Sequence, residues 1–161
     1  MWRLKRKDML ELGEMAPQVR MRLLNGEMWG LHDALLEQRI LLVFFKISCP
    51  TCQFTLPFLE RMSASATGGI VLVSQDDAGK TREFQQQFGI TLPTLIDEGQ
   101  AYAASNAYRI SHVPSMFLIA QDGTIAKSIN GFQRAELESV GLLFGIPAFR
   151  PGERVPILRP G

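Results

Sequence analysis

A chain of 161 residues is long enough for one domain with a substantial core and short for two. Its 46% hydrophobic and 20% charged residues exclude wholesale disorder, and a net charge of +1 gives no general reason for a nucleic-acid or membrane partner. A core of this size needs no disulfide staple, so the only two cysteines, Cys49 and Cys52, are free for chemistry.

The first residues, Met1 to Asp8, are basic like the start of a signal peptide, but Glu11, Gly13 and Glu14 follow where an apolar stretch would be required. The longest apolar run, Ile40 to Phe45, is too short to span a bilayer. The reading is therefore no membrane span and a cytoplasmic location. Residues 1–16 form a helical or irregular lead that ends at Pro17. Val19, Met21 and Leu23 then alternate with Arg20 and Arg22, and Asn25-Gly26 signals a hairpin turn.

Ile40 to Phe45 has the pattern of a buried central strand. Beyond the cysteines, Phe54, Phe58, Leu59 and Met62 fall on one helical face, with a kink expected at Pro57. Ile70–Val73 is a second buried strand, and Lys80–Phe88 a helix closed by Gly89. A short strand at Pro93–Ile96 and an Ala-rich helix from Gln100 to Tyr108 follow. Met116–Ile119 and Thr124–Ala126 flank the turn Gln121-Asp122-Gly123, and Arg134–Phe144 is a last amphipathic helix. This order implies an α/β fold, a mixed sheet with helices on both faces. The expected division is a single domain over 1–146 and a tail over 147–161. That tail carries four prolines and three arginines, which rules out a regular helix and leaves it either packed as an extended arm or mobile.

Cys49-Pro50-Thr51-Cys52 stands between a buried strand and a helix. There, unpaired N–H groups and the helix dipole favour a thiolate at Cys49, and Pro50 suits the first helical position. Cys52, three residues on, shares that face and can close a disulfide with Cys49. Cys49 would attack a target disulfide and Cys52 would resolve the mixed disulfide. Two plainer readings compete. A zinc site needs four ligands, and only His32 and His112 remain as nitrogen donors, neither near the pair in sequence, so no metal is assigned. Two inert core cysteines are the other plain reading, since Cys is often buried, and the strand–CxxC–helix setting favours redox chemistry over it. Among other polar residues, His112 reads as a solvent-facing loop histidine, and Asp76 and Asp77 as a helix cap. Arg150, Arg154 and Arg159 read as a solvated arm.

The chain resembles the thioredoxin superfamily, in its TlpA-like and peroxiredoxin-related (AhpC/TSA-type) branch. The likeness runs from about Ala16 to Leu143. It rests on Ala16-Pro17 with the hairpin, on Ile40–Phe45 leading into Cys49–Cys52 and Leu56-Pro57, and on Ile70–Ser74 with Asp76-Asp77. It rests also on Tyr108-Arg109-Ile110 followed by Val113-Pro114-Ser115 and Asp122-Gly123. The resemblance implies a thioredoxin-like fold with an N-terminal β-hairpin extension. It also implies a cis Pro114 against the cysteine pair, with substrate backbone pairing beside Val113.

The departures carry information too. Val43 stands where many relatives have a buried acid, and Thr55 where TlpA-like reductases often have Glu, so no residue is named to take the Cys52 proton. Ser48 replaces a common Trp, which makes the rim less apolar. A peroxiredoxin-like peroxidase is the alternative, but Lys46 stands where that chemistry has Thr and no Arg is apparent near Val113-Pro114. A non-catalytic binding module is a second alternative.

Proline directly after Cys49 suggests a potential less reducing than that of thioredoxin, about −270 mV, whereas the cytoplasmic reading favours a net reductant. The resulting expectation is a disulfide reductase with no cofactor beyond its own Cys49–Cys52 disulfide. It would act on protein or small-molecule disulfides and be recharged by a thiol or reductase donor.

Overall fold

The computed structural model describes residues 8–63 and 68–161. The start of the N-terminal lead therefore lies outside the described residues, and residues 8–19 run without a helix. Strands β1 (Arg20–Arg22) and β2 (Met28–Gly30) form the expected hairpin, followed by helix α1 (Leu31–Glu37). Gly26 takes a positive φ of 87° in its turn, a conformation that a side chain would oppose.

At the centre is β3 (Ile40–Phe45), all six residues of which are buried. A strand buried on both faces needs no polar alternation, which explains its unbroken apolar run. It pairs in parallel with β4 (Gly69–Ser74), which pairs in parallel with β5 (Thr94–Ile96). On its other side it pairs antiparallel with β6 (Ser115–Ile119), and β6 pairs antiparallel with β7 (Ile125–Asn130). The sheet order is thus β5-β4-β3-β6-β7, the mixed sheet expected.

Side chains leave β3 alternately for two cores. Leu41, Val43 and Phe45 pack with Cys52, Leu56 and Leu59 of helix α2 (Pro50–Ser63). Phe84 of helix α3 (Ala78–Phe88) and Leu137 and Val140 of helix α5 (Arg134–Leu143) join that cluster. Ile40, Leu42 and Phe44 pack on the other face with Leu31 and Leu35 of α1, and with Ala104 of helix α4 (Ala103–Ala107) and Tyr108. Each fully buried Leu or Phe contributes about 1.5–3 kcal/mol, so β3 is the most heavily secured segment of the backbone. Helix α2 spans Pro57, and α3 closes on Gly89 in the left-handed conformation.

The helix expected over Gln100–Tyr108 is broken. A 3₁₀ turn at Glu98–Gln100 precedes Ala101 and Tyr102, both at positive φ, and only Ala103–Ala107 is α-helical. The break is held by the fully buried Asp97, whose carboxylate accepts the N–H groups of Ala104 and Ser105 at 2.9 and 2.8 Å. A charged acceptor on two otherwise orphaned helix donors outweighs the propensity of the alanines. Asp97→Ala should therefore cost about 2–3 kcal/mol in a urea titration, by stranding both donors.

Tyr108 packs against Phe44 and Phe117, and its hydroxyl donates to the Pro17 carbonyl at 2.7 Å. Burial raises its phenol above the ordinary 10.0. Below about pH 10 both folded and unfolded chains keep this proton, and the stability is intact. Above it the unfolded chain releases the proton first, so stability should fall as pH climbs toward the raised folded value. Tyr108→Phe should lose about 1 kcal/mol at neutral pH, yet show a flatter decline in alkali, read by denaturant midpoint against pH.

Candidate active site

The site is assembled by strand register. Parallel pairing sets Phe45 opposite Ser74, so the loops after β3 and β4 leave the sheet together. Antiparallel pairing sets Phe44 opposite Ser115, which brings the segment just before β6 to the same end of β3. Cys49 therefore meets Val113, 64 positions away in the chain. The Val113–Pro114 peptide bond is cis.

Lys46–Ser48 carry the chain from β3 to the cysteine. This short loop is braced by its own polar groups: the Ile47 N–H donates to Asp76 Oδ2, and Gln53 Nε2 donates to the Ile47 carbonyl, both at 2.8 Å. Pro50 opens α2, where a missing N–H leaves nothing unpaired, and the Gln53 N–H bonds to the Cys49 carbonyl at 3.0 Å.

The two cysteines have different surroundings. Cys49 is half-buried, whereas Cys52, one turn into α2, is fully enclosed. The Cys52 N–H donates to Cys49 Sγ at 3.1 Å, and the Cys49 thiol donates to the Val113 carbonyl at 3.4 Å. The one sulfur thus has a donor for its charged form and an acceptor for its neutral form. Burial raises the Cys52 thiol well above its ordinary 9.0, aided by its hydrogen bond with Cys49 and by the negative charges of Cys49 and Asp76. A backbone hydrogen bond with Lys46 opposes the rise.

Cys49, Cys52, Val113, Pro114, Pro50, Thr51 and Ser48 all gather at this end of the sheet, with Ser48 and Pro50 exposed on the rim. Val43 is enclosed in the core, and Thr55 turns its hydroxyl back to the Thr51 carbonyl at 2.7 Å, so neither offers an acid. The two aspartates have separate tasks. Asp77 caps α3 through the Lys80 N–H, while Asp76 faces the active-site loop. Sequence spacing gave no signal for that second contact. His112 is exposed with its ring on Ser111; with Lys46, Gln75 and Val113 it lines a cavity of about 370 Å³ beside the pair.

The 147–161 segment packs against the domain as an extended arm, the first of the two expected outcomes. Ala148 is buried, Phe149 joins Phe58 and Phe132 in an aromatic cluster, and Glu153 takes a two-pronged ion pair from Arg61. Beyond it, β9 (Leu158–Arg159) pairs antiparallel with β8 (Phe132–Gln133). Arg159 lies over the Phe54 ring, 5.0 Å from its centre, and so is no solvated arm residue. The Thr51 hydroxyl, between the two cysteines, donates to the Pro160 carbonyl at 2.6 Å.

Comparison with known proteins matches this architecture. The thiol-disulfide oxidoreductase ResA of Bacillus anthracis is 28% identical over 134 residues, covering 81% of this chain and 76% of the relative. The thioredoxin-like protein YneN of Bacillus subtilis is 24% identical, covering 75% and 72%. Among solved structures, a thiol:disulfide interchange protein DsbE from Chlorobium tepidum superposes with a TM-score of 0.73 at 22% identity, covering 83% of this chain and 95% of that one. The Redoxin family pattern matches residues 11–141. With most of its length so matched, the chain belongs to the Redoxin family and is a thioredoxin-like thiol-disulfide oxidoreductase.

Proposed function

We propose that the protein is a disulfide reductase acting on protein disulfides through the Cys49–Cys52 dithiol. The observation that carries this reading is the asymmetry of the pair: a reachable Cys49 sulfur at a helix start, backed by an enclosed Cys52. As a thiolate, Cys49 attacks one sulfur of the substrate disulfide. The substrate S–S bond breaks, and the departing sulfur leaves as a thiolate that takes up a proton. Cys52 then loses its proton and attacks Cys49 Sγ, which closes the Cys49–Cys52 disulfide and releases the second substrate thiolate. The substrate gains two electrons and two protons, and the protein gives them up. A thiol or dithiol donor from outside restores the dithiol.

The direction is supported by the raised Cys52 thiol. A sulfur that ionises poorly is a poor leaving group, so the internal disulfide resists attack and the dithiol tends to surrender electrons. Pro50 pulls toward a more oxidising pair, and in this reading the enclosure of Cys52 outweighs it.

Cys49→Ser should reduce turnover of a polypeptide disulfide to the uncatalysed rate. Cys52→Ser should retain the first attack and accumulate a mixed disulfide on Cys49, seen by mass. A Cys49→Ser protein with unchanged turnover would overturn the reading. The resolving step should quicken as pH rises, because the fraction of Cys52 thiolate grows toward its raised value. Asp76→Asn removes a negative charge that holds that value up. Its pH profile for decay of the mixed disulfide should move to lower pH.

A further inference from the structure

We propose that residues 155–161 occupy the groove in which the substrate polypeptide docks, so that the groove's preference can be read from its present occupant. This rests on the dithiol reading above and adds to it a substrate class and a competition. The segment runs along the protein as an added strand. The Arg134 N–H donates to the Ile157 carbonyl at 3.0 Å, and Arg159 and Leu158 pair with Phe132 and Gln133. It then passes the cysteine motif itself, where Thr51 donates to Pro160.

Gly161 comes to rest on the carbonyl of Val113, the same group that receives the Cys49 thiol. The fit there is so close that a Cβ on Gly161 would collide with the Val113 oxygen and stand 2.8 Å from its carbon. Gly131 shows the same tightness from below: a Cβ there would approach the Arg159 carbonyl to 2.8 Å.

A substrate that reaches Cys49 must lie against Val113 and Thr51, and those positions are taken. The occupant defines what fits: extended backbone, a very small residue against Val113, a carbonyl in reach of the Thr51 hydroxyl, and a cation over Phe54 two residues before the small one. Backbone pairing supplies the affinity and these positions the selection. The partner class is therefore an unfolded or extended polypeptide with a small residue beside its disulfide cysteine and a basic residue nearby. While the segment is seated, such a substrate binds only to the fraction of molecules in which it has lifted.

Small disulfides need little of this groove, which provides the test. The wild-type protein is compared with Gly161→Val and with Arg159→Glu on two substrates, insulin and a small aromatic disulfide. Neither Gly161 nor Arg159 belongs to the two core clusters, so neither change removes core packing. Gly161→Val puts a side chain where a Cβ meets the Val113 carbonyl, and Arg159→Glu removes the cation over Phe54. The expected result is insulin reduction faster by about fivefold, the effect of losing one such contact, with the small-disulfide rate unchanged. A synthetic peptide Val-Pro-Ile-Leu-Arg-Pro-Gly, copying 155–161, should restore the slow insulin rate in Gly161→Val, and a copy with Glu for Arg should do so less well.

Insulin rates that stay the same or fall, with the small-disulfide rate intact, overturn the proposal. So does a peptide without effect on the opened variant. If the wild-type protein cannot reduce the small disulfide at all, it is the dithiol reading that has failed, and the groove proposal falls with it.

Discussion

Burial of β3 on both faces is the constraint on which everything else depends. Its six apolar residues can be satisfied only in the middle of a sheet with helices above and below. A central strand needs neighbours on both edges, here β4 in parallel and β6 antiparallel. The mixed pairing means that the end of β3 lies beside the end of one neighbour and the beginning of the other. Cys49, Asp76 and Val113 come from those three places, so their meeting follows from the register of the core.

The chemistry follows from how much of the pair that core encloses. Cys52 points into the same cluster as Leu56 and Leu59, and apolar surroundings raise its thiol. Cys49 stops one turn short, where helix-start donors and a loop carbonyl share its sulfur. One sulfur is therefore placed to react and the other to be recruited only after a mixed disulfide has formed. Asp76 adds charge to this arrangement without touching the helix, through a loop that it also braces.

Much of this was legible in the sequence because strong local signals agreed with the fold. The run at Ile40–Phe45, the CxxC after it, Asn25-Gly26 and Gly89 each carry a conformational reason that survives packing. Val113-Pro114 was legible only through family resemblance, and the cis bond matches that expectation. The helix break before Ala103 was not legible, since Ala101 and Tyr102 advertise no positive φ and their cause is a buried carboxylate at Asp97. For 147–161 the prolines pointed to an extended arm, but not to the positions at which it is seated. Its buried Ala148, its ring contacts, its ion pair and a strand of only two residues leave no periodic trace in the sequence. Phe54 and Phe58, on α2, gave an indirect hint: their rings needed a cover.

The proposed chemistry requires Cys49 and Cys52 to form one reversible two-electron couple. Equilibrating the full-length protein in glutathione buffers of graded potential, then counting free thiols by mass, measures this directly. Both thiols should disappear together, without bound glutathione, in a single transition within roughly −300 to −100 mV. Glutathione on Cys49 with Cys52 still a free thiol, or no oxidation of the pair at any potential, would contradict it.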